Sequence, residues 1–164
     1  MKKPDNSIAL ISQFNNETSL ANAQLLADEG FRLAITGSVQ ETLANAVEEI
    51  GNGALGVLTA QKDIEGMVST YKKVTCYFNG YIDFLIINTP HRNSNGVIDF
   101  TEAFFMVQYA LPFLKPNATV LFNTVVLTKG NLERIRSRGA TTENLVNILW
   151  LETQLRSGYP LSFN

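Results

Sequence analysis

Few side chains in this sequence combine residue type and spacing in a way that chemistry can use. His91 is the sole histidine and sits between Pro90 and Arg92, in a polar turn where a general base can be imagined. Its nearest acidic neighbours along the chain, Asp83 and Asp99, stand at no diagnostic spacing, so an ordinary turn histidine is the simpler reading. Asp99 and Glu102 lie three apart and share a helical face, as carboxylates at the positive end of a helix commonly do. Lys129, Arg134, Arg136 and Arg138 form a basic cluster broken only by Glu133, which would suit an acidic partner or a phosphate but reads more plainly as a solvated loop. Asn15 and Asn16 could meet a small polar ligand at the carboxyl ends of strands, although a tight turn capping a helix explains them better. Cys76, near Lys72 and Lys73, lacks the strongly electropositive setting that activates a thiol. With one histidine and one cysteine, a conventional zinc site is not expected. No residue is therefore assigned a catalytic, cofactor-binding or metal-binding role.

The elements that would position such residues alternate regularly. Ile8–Ile11 is a buried apolar run, followed by a helix over Leu20–Gly30 and a second strand over Phe31–Ile35, which together make a βαβ opening. Nucleotide-binding sheets place a glycine-rich turn after the first strand, so that backbone can approach a pyrophosphate at the helix start. Between Ser12 and Ser19 there is no glycine. Thr36 or Ser38 is then expected to cap a helix carrying Leu43, Ala46, Val47 and Ile50, ended by Gly51-Asn52-Gly53. Ala54–Thr59 reads as a third strand, Ile64–Tyr77 as a helix capped by Asp63, and Ile82–Ile87 as a strand with helices on both faces. After the turn signals Thr89-Pro90 and Asn95-Gly96, a helix is expected over Phe100–Leu114, apolar nearly all round. Pro116-Asn117 turns into a strand at Thr119–Leu127; a last helix starts at Thr141 or Thr142 and ends at Gly158, and Leu161–Asn164 is a candidate short strand.

The 164 residues, 45% of them apolar, suit a single domain spanning 1–164. A formal charge of -2 gives nucleic acid no general attraction. No apolar run reaches membrane-spanning length, and Met1–Ser7 lacks the apolar core of a secretory signal. A lone cysteine permits no internal disulfide, so the cytoplasm is the expected compartment.

In Ala9-Leu10-Ile11, Leu20–Gly30, Phe31–Gly37, Gly53–Leu58, Ile82-Asp83-Phe84-Leu85 with Asn88, Ala110-Leu111-Pro112 and Glu152–Gly158, the chain resembles the short-chain dehydrogenase/reductase family in its classical form. The resemblance implies an α/β fold: a three-layer, Rossmann-like parallel sheet in the order 3-2-1-4-5, with room for a short sixth strand. The chain ends at Asn164, so the family's seventh strand and much of its substrate-binding region have no counterpart. The functional positions depart almost one by one. The glycine-rich turn of the family falls on Ser12–Ser19, with Gln13, Glu17 and Ser19 at its three glycines. Its adenine-contacting aspartate falls on Ala60, and its Asn-Asn-Ala-Gly segment on Ile87-Asn88-Thr89-Pro90, of which only Asn88 is kept. The catalytic asparagine matches Asp99, the serine Thr124 or Val125, the tyrosine a position near Arg136 and the lysine one near Ala140, and no Tyr-x-x-x-Lys pair occurs anywhere. The family's chemistry needs a phenol whose pKa is lowered by lysine and cofactor. The resemblance thus implies a catalytically inactive dehydrogenase-like protein without NAD or NADP, acting as a binding or assembly subunit. The alternative is a small oxidoreductase with a rebuilt site. Family usage further implies a homodimer through the helices Phe100–Leu114 and Thr142–Arg156.

Overall fold

The computed structural model describes residues 6–14, 17–59, 64–88, 101–122, 127–130 and 132–133. Its strands and helices alternate: β1 (Ile8–Ser12), α1 (Glu17–Asp28), β2 (Arg32–Gly37), α2 (Gln40–Ile50), β3 (Leu55–Leu58), α3 (Ile64–Phe78), β4 (Ile82–Ile87), α4 (Thr101–Ala110), a 3-10 turn (Leu111–Phe113) and β5 (Leu114–Phe122). The strands form one sheet in the order β3-β2-β1-β4-β5. All four pairings are parallel, with Leu10 opposite both Ala34 and Leu85. The expected order is therefore observed. The candidate sixth strand and the last helix lie outside the described residues.

The apolar runs of β1 and β4 are explained by two helical layers. On one face Ala9, Ile11, Leu33, Ile35, Phe84 and Ile86 pack against Ala23, Leu26 and Ala27 of α1 and Leu43, Ala46 and Ile50 of α2. On the other, Leu10, Ala34, Leu85 and Ile87 meet Tyr71, Val74 and Phe78 of α3 and Met106 and Ala110 of α4. A strand clothed on both sides has no solvent face to keep polar. Asp83 is the exception in β4. Its Oδ2 accepts from the Ile8 N–H at 2.8 Å and its Oδ1 pairs with Lys115 Nζ at 2.8 Å, which ties β1, β4 and β5 together at their amino ends. Arg32 does the same for β2, donating to Phe78 O at 2.6 Å and Asn6 O at 2.7 Å.

Several boundaries differ from the sequence reading. Helix α1 begins at Glu17, not Leu20, because Ser19 and Asn22 belong to its buried face. Neither Thr36 nor Ser38 caps α2: the N-cap is Val39, without a side-chain bond, and the Thr36 hydroxyl is engaged with Gln13. Helix α4 stops at Ala110, and Leu114 is already extended at φ -93°, ψ 145°. Pro112 removes a helical N–H and its ring clashes with the preceding turn, so the expected continuation to Leu114 fails. Strand β5 thus starts before the Pro116-Asn117 turn. Ile82 pairs with Leu114 and Phe84 with Thr119, so the stretch 115–118 bulges out of register opposite Asp83.

Candidate functional site

Open parallel sheets bind ligands beyond the carboxyl ends of their strands, where neighbouring connections diverge. Here that place is the turn between β1 and α1. Gln13 adopts φ 58°, a left-handed backbone that glycine enters freely and that costs other residues about 1–2 kcal/mol. The conformation is held from both sides. The Gln13 N–H donates to Thr36 Oγ1 at 3.1 Å and the Phe14 N–H to Thr36 O at 2.6 Å, fastening the turn to β2. From β4, the Asn88 N–H donates to Ser12 O at 3.3 Å. The Asn88 Nδ2 donates to Ser19 Oγ at 2.8 Å and, more weakly, to Gln13 O at 3.4 Å. Asn88 and Ser19 are both buried. Ser19 therefore sits inside α1 as a bonded partner of Asn88 rather than as a gap. Glu17 opens the helix and is exposed in its first turn.

As a cradle for a dinucleotide pyrophosphate, this turn fits poorly. Gln13 carries a side chain where a pyrophosphate would need bare backbone, and a carboxylate, Glu17, stands at the helix end that favours an anion. The second polar residue on the buried face of α1, Asn22, accepts from the Leu127 N–H at 2.7 Å through Oδ1. It anchors the chain beyond β5 to α1.

On the α3 side of the sheet a small cleft, partly open to solvent, runs between β1, β2 and α3 and reaches Gln13 of the turn and Thr59 after β3. Ser12, Thr36, Thr59 and Thr70 give it hydroxyls, and Leu10, Met67, Tyr71 and Met106 give it apolar walls. Tyr71 is buried, its ring 5.9 Å from Phe113, and its hydroxyl donates to Met106 O at 2.8 Å. Burial pushes this phenol well above its ordinary value of 10.0, so at neutral pH it is a fixed donor and not a base.

Among the described residues, those weighed from sequence lie on separate elements. Asp83 is committed to the Ile8 N–H and Lys115 at the amino end of β4. Lys129 pairs with Glu29 at 3.4 Å, Cys76 is an exposed free thiol on α3, and Glu102 falls within α4. Among the described residues no cluster has the makings of a metal site. Asn15, Asn16, Ala60, His91, Asp99, Thr124, Val125, Arg134, Arg136, Arg138 and Ala140 lie outside those residues. The sequence reading did not find Ser19, Asn22 and Thr36 as structural hydrogen-bonding residues. The available signal was the i, i+3 pair Ser19/Asn22 bordering the apolar stripe of α1.

No protein-family model matches the sequence, and neither does any curated protein. Solved structures do share its fold. A short-chain dehydrogenase/reductase of the glucose/ribitol dehydrogenase type from Brucella melitensis aligns with a TM-score of 0.64 at 19% identity, over 95% of this chain and 73% of that one. A short-chain dehydrogenase/reductase from Serratia marcescens aligns at 0.58 and 14%, over 93% and 69%. FabI from Alistipes finegoldii aligns at 0.60 and 14%, over 92% and 67%. At these identities the likeness is one of fold: the chain has the Rossmann-like architecture of short-chain dehydrogenases and reductases.

Proposed function

We propose that this chain is a catalytically inactive, dehydrogenase-like protein that acts as a binding or assembly subunit, as a homodimer in the cytoplasm. The β1–α1 turn carries the reading. A dinucleotide would require close approach to backbone N–H groups at the start of α1. Gln13 holds the left-handed position with a side chain, Ser19 is bonded to Asn88, and Glu17 supplies a negative charge at the helix start. The free Cys76 suits a reducing compartment. Among the described residues, no helix is long and apolar enough to cross a membrane.

The proposed dimer uses α4, with its continuation to Leu114, and the segment 142–156, the latter on its sequence alone. Phe105 is 48% exposed and Leu111 44%, although their neighbours Met106 and Ala110 face the core. A twofold contact would pair each such patch with its own copy.

Calorimetric titration of the protein with NADH and with NADPH tests the central claim. No saturable heat is expected across the micromolar range, and micromolar binding of either dinucleotide overturns the reading. Glu17→Gly is expected to leave the result unchanged, because Gln13 still carries a side chain at the left-handed position of the turn.

A further inference from the structure

We propose that the open side of β3 binds an extended, positively charged segment of a partner protein as an added strand, at a surface used by neither the β1–α1 turn nor α4. Among the described residues, β3 has β2 on one side and no strand on the other. The Thr59 N–H donates to Gly37 O at 2.8 Å, so the odd-numbered residues of this stretch turn their backbone groups toward β2. Successive residues of a strand direct their N–H and C=O groups to alternate sides, and Gly56 and Leu58 therefore hold theirs outward. Both residues are exposed, Leu58 by 43%, whereas Val57 between them is buried. Strand edges are normally guarded by charge, proline or a bulge. Strand β5 has Lys115, Pro116 and the out-of-register stretch opposite Asp83. The Leu-Gly-Val-Leu sequence of β3 has none of these. Its four residues are too few to invite uncontrolled pairing and suit a weak, reversible contact.

The neighbouring helix sets what the added strand must carry. Gly56 faces α2, and a Cβ there would lie 3.1 Å from Val47 Cγ2, so the glycine lets α2 rest directly against β3. Glu48 follows Val47 in α2, and Glu41 stands two turns earlier on the same side. Both are exposed, and neither forms an ion pair among the described residues. Neither α1 nor α2 contains a lysine or arginine to offset them. On the other face of β3, Leu55 and Val57 belong to the apolar layer under α3. The complementary strand thus alternates, with lysine or arginine toward α2 and apolar side chains toward α3. A second copy of β3 meets this requirement poorly. Pairing two such edges about a twofold axis sets each α2 beside its own acidic copy.

Titration of the 15N-labelled full chain with a blocked hexapeptide of alternating lysine and valine, followed by amide chemical shifts at low salt, tests the assignment. Saturable shifts centred on Gly56 and Leu58 are expected, since their N–H groups face the added strand. A glutamate–valine peptide is expected to bind at least about fivefold more weakly, through repulsion from α2. The lysine–valine peptide N-methylated at alternate residues keeps its charge and loses the N–H groups of one edge, and is expected to give no saturable shifts. Glu41→Gln combined with Glu48→Gln changes only exposed side chains, so the unfolding midpoint should stay put while the lysine–valine peptide weakens about threefold. The proposal is overturned by absence of saturable shifts through the millimolar range, by shifts centred elsewhere, or by equal binding of the glutamate or N-methylated peptide. Unchanged affinity in the double variant overturns it equally. Gly56 and Leu58 shifts that depend on protein concentration without peptide would assign the edge to a second copy and also overturn it.

Discussion

Gln13 and Tyr71 show how far a single residue is governed by its surroundings. Gln13 falls where the resembling family has a glycine, and its φ of 58° shows that the backbone demand persists without the residue that meets it most easily. Gln13→Gly should relieve the strain at the cost of a looser unfolded chain, for a net gain of about 0.5–1 kcal/mol in urea unfolding. A loss of stability would mean that the glutamine side chain makes interactions worth more than the strain. Tyr71 donates to Met106 O from a buried site, and its phenol is shifted upward. Folded protein thus holds that proton more tightly than unfolded chain does. The associated stability is fully present below the ordinary phenol value of 10.0 and declines as pH rises beyond it. Tyr71→Phe should cost about 1 kcal/mol at neutral pH and flatten the alkaline decline, as read from urea midpoints across that range.

Between elements, the amino end of the sheet separates two kinds of polar contact. Asp83 both accepts from the Ile8 N–H and pairs with Lys115, whose side chain is 45% exposed. Removing the carboxylate leaves a backbone donor of β1 without its partner, whereas removing the lysine forfeits only a solvent-screened ion pair. Asp83→Ala is therefore expected to cost about 1–3 kcal/mol and Lys115→Ala less than about 1 kcal/mol, in denaturant unfolding of each variant. Equal losses would place the energy in the ion pair instead. Legibility varied along the same elements. The strand Ile82–Ile87 was readable to the residue, because an apolar run covered on both faces has sharp polar ends. The start of α1 was not, because Ser19 and Asn22 look like solvent-facing residues until their partners are known. The helix-to-strand change near Leu111–Leu114 was misjudged because the apolar periodicity continues past Pro112, while backbone geometry does not.

At the scale of the whole molecule, assembly is the main expectation. Phe105 and Leu111 expose apolar surface on and just after α4. Static light scattering at micromolar concentration should give twice the 18.1 kDa chain mass. Phe105→Glu combined with Tyr109→Glu should return the single-chain mass with the fold retained by circular dichroism, since a stable dimer buries at least roughly 1,000 Å² and tolerates no charge at its centre. A wild-type mass of one chain defeats the dimer, and a double variant that stays dimeric moves the interface elsewhere.

What the sequence determined by itself was the architecture. Alternating apolar strands and amphipathic helices call for a parallel sheet with helices on both faces; the order β3-β2-β1-β4-β5, which is observed, was implied by the resemblance to short-chain dehydrogenases and not by the alternation. The missing glycines of the first turn were equally plain. What only the tertiary structure decided was how that turn is held. Asn88 meets Ser19 across 69 residues, and Asn22 meets Leu127 across 105. Periodicity reports which face of an element is buried; it carries no record of which distant polar group shares that burial. Thr36 came to hold the Gln13 N–H only through the register of β1 against β2, which no local pattern in either strand records.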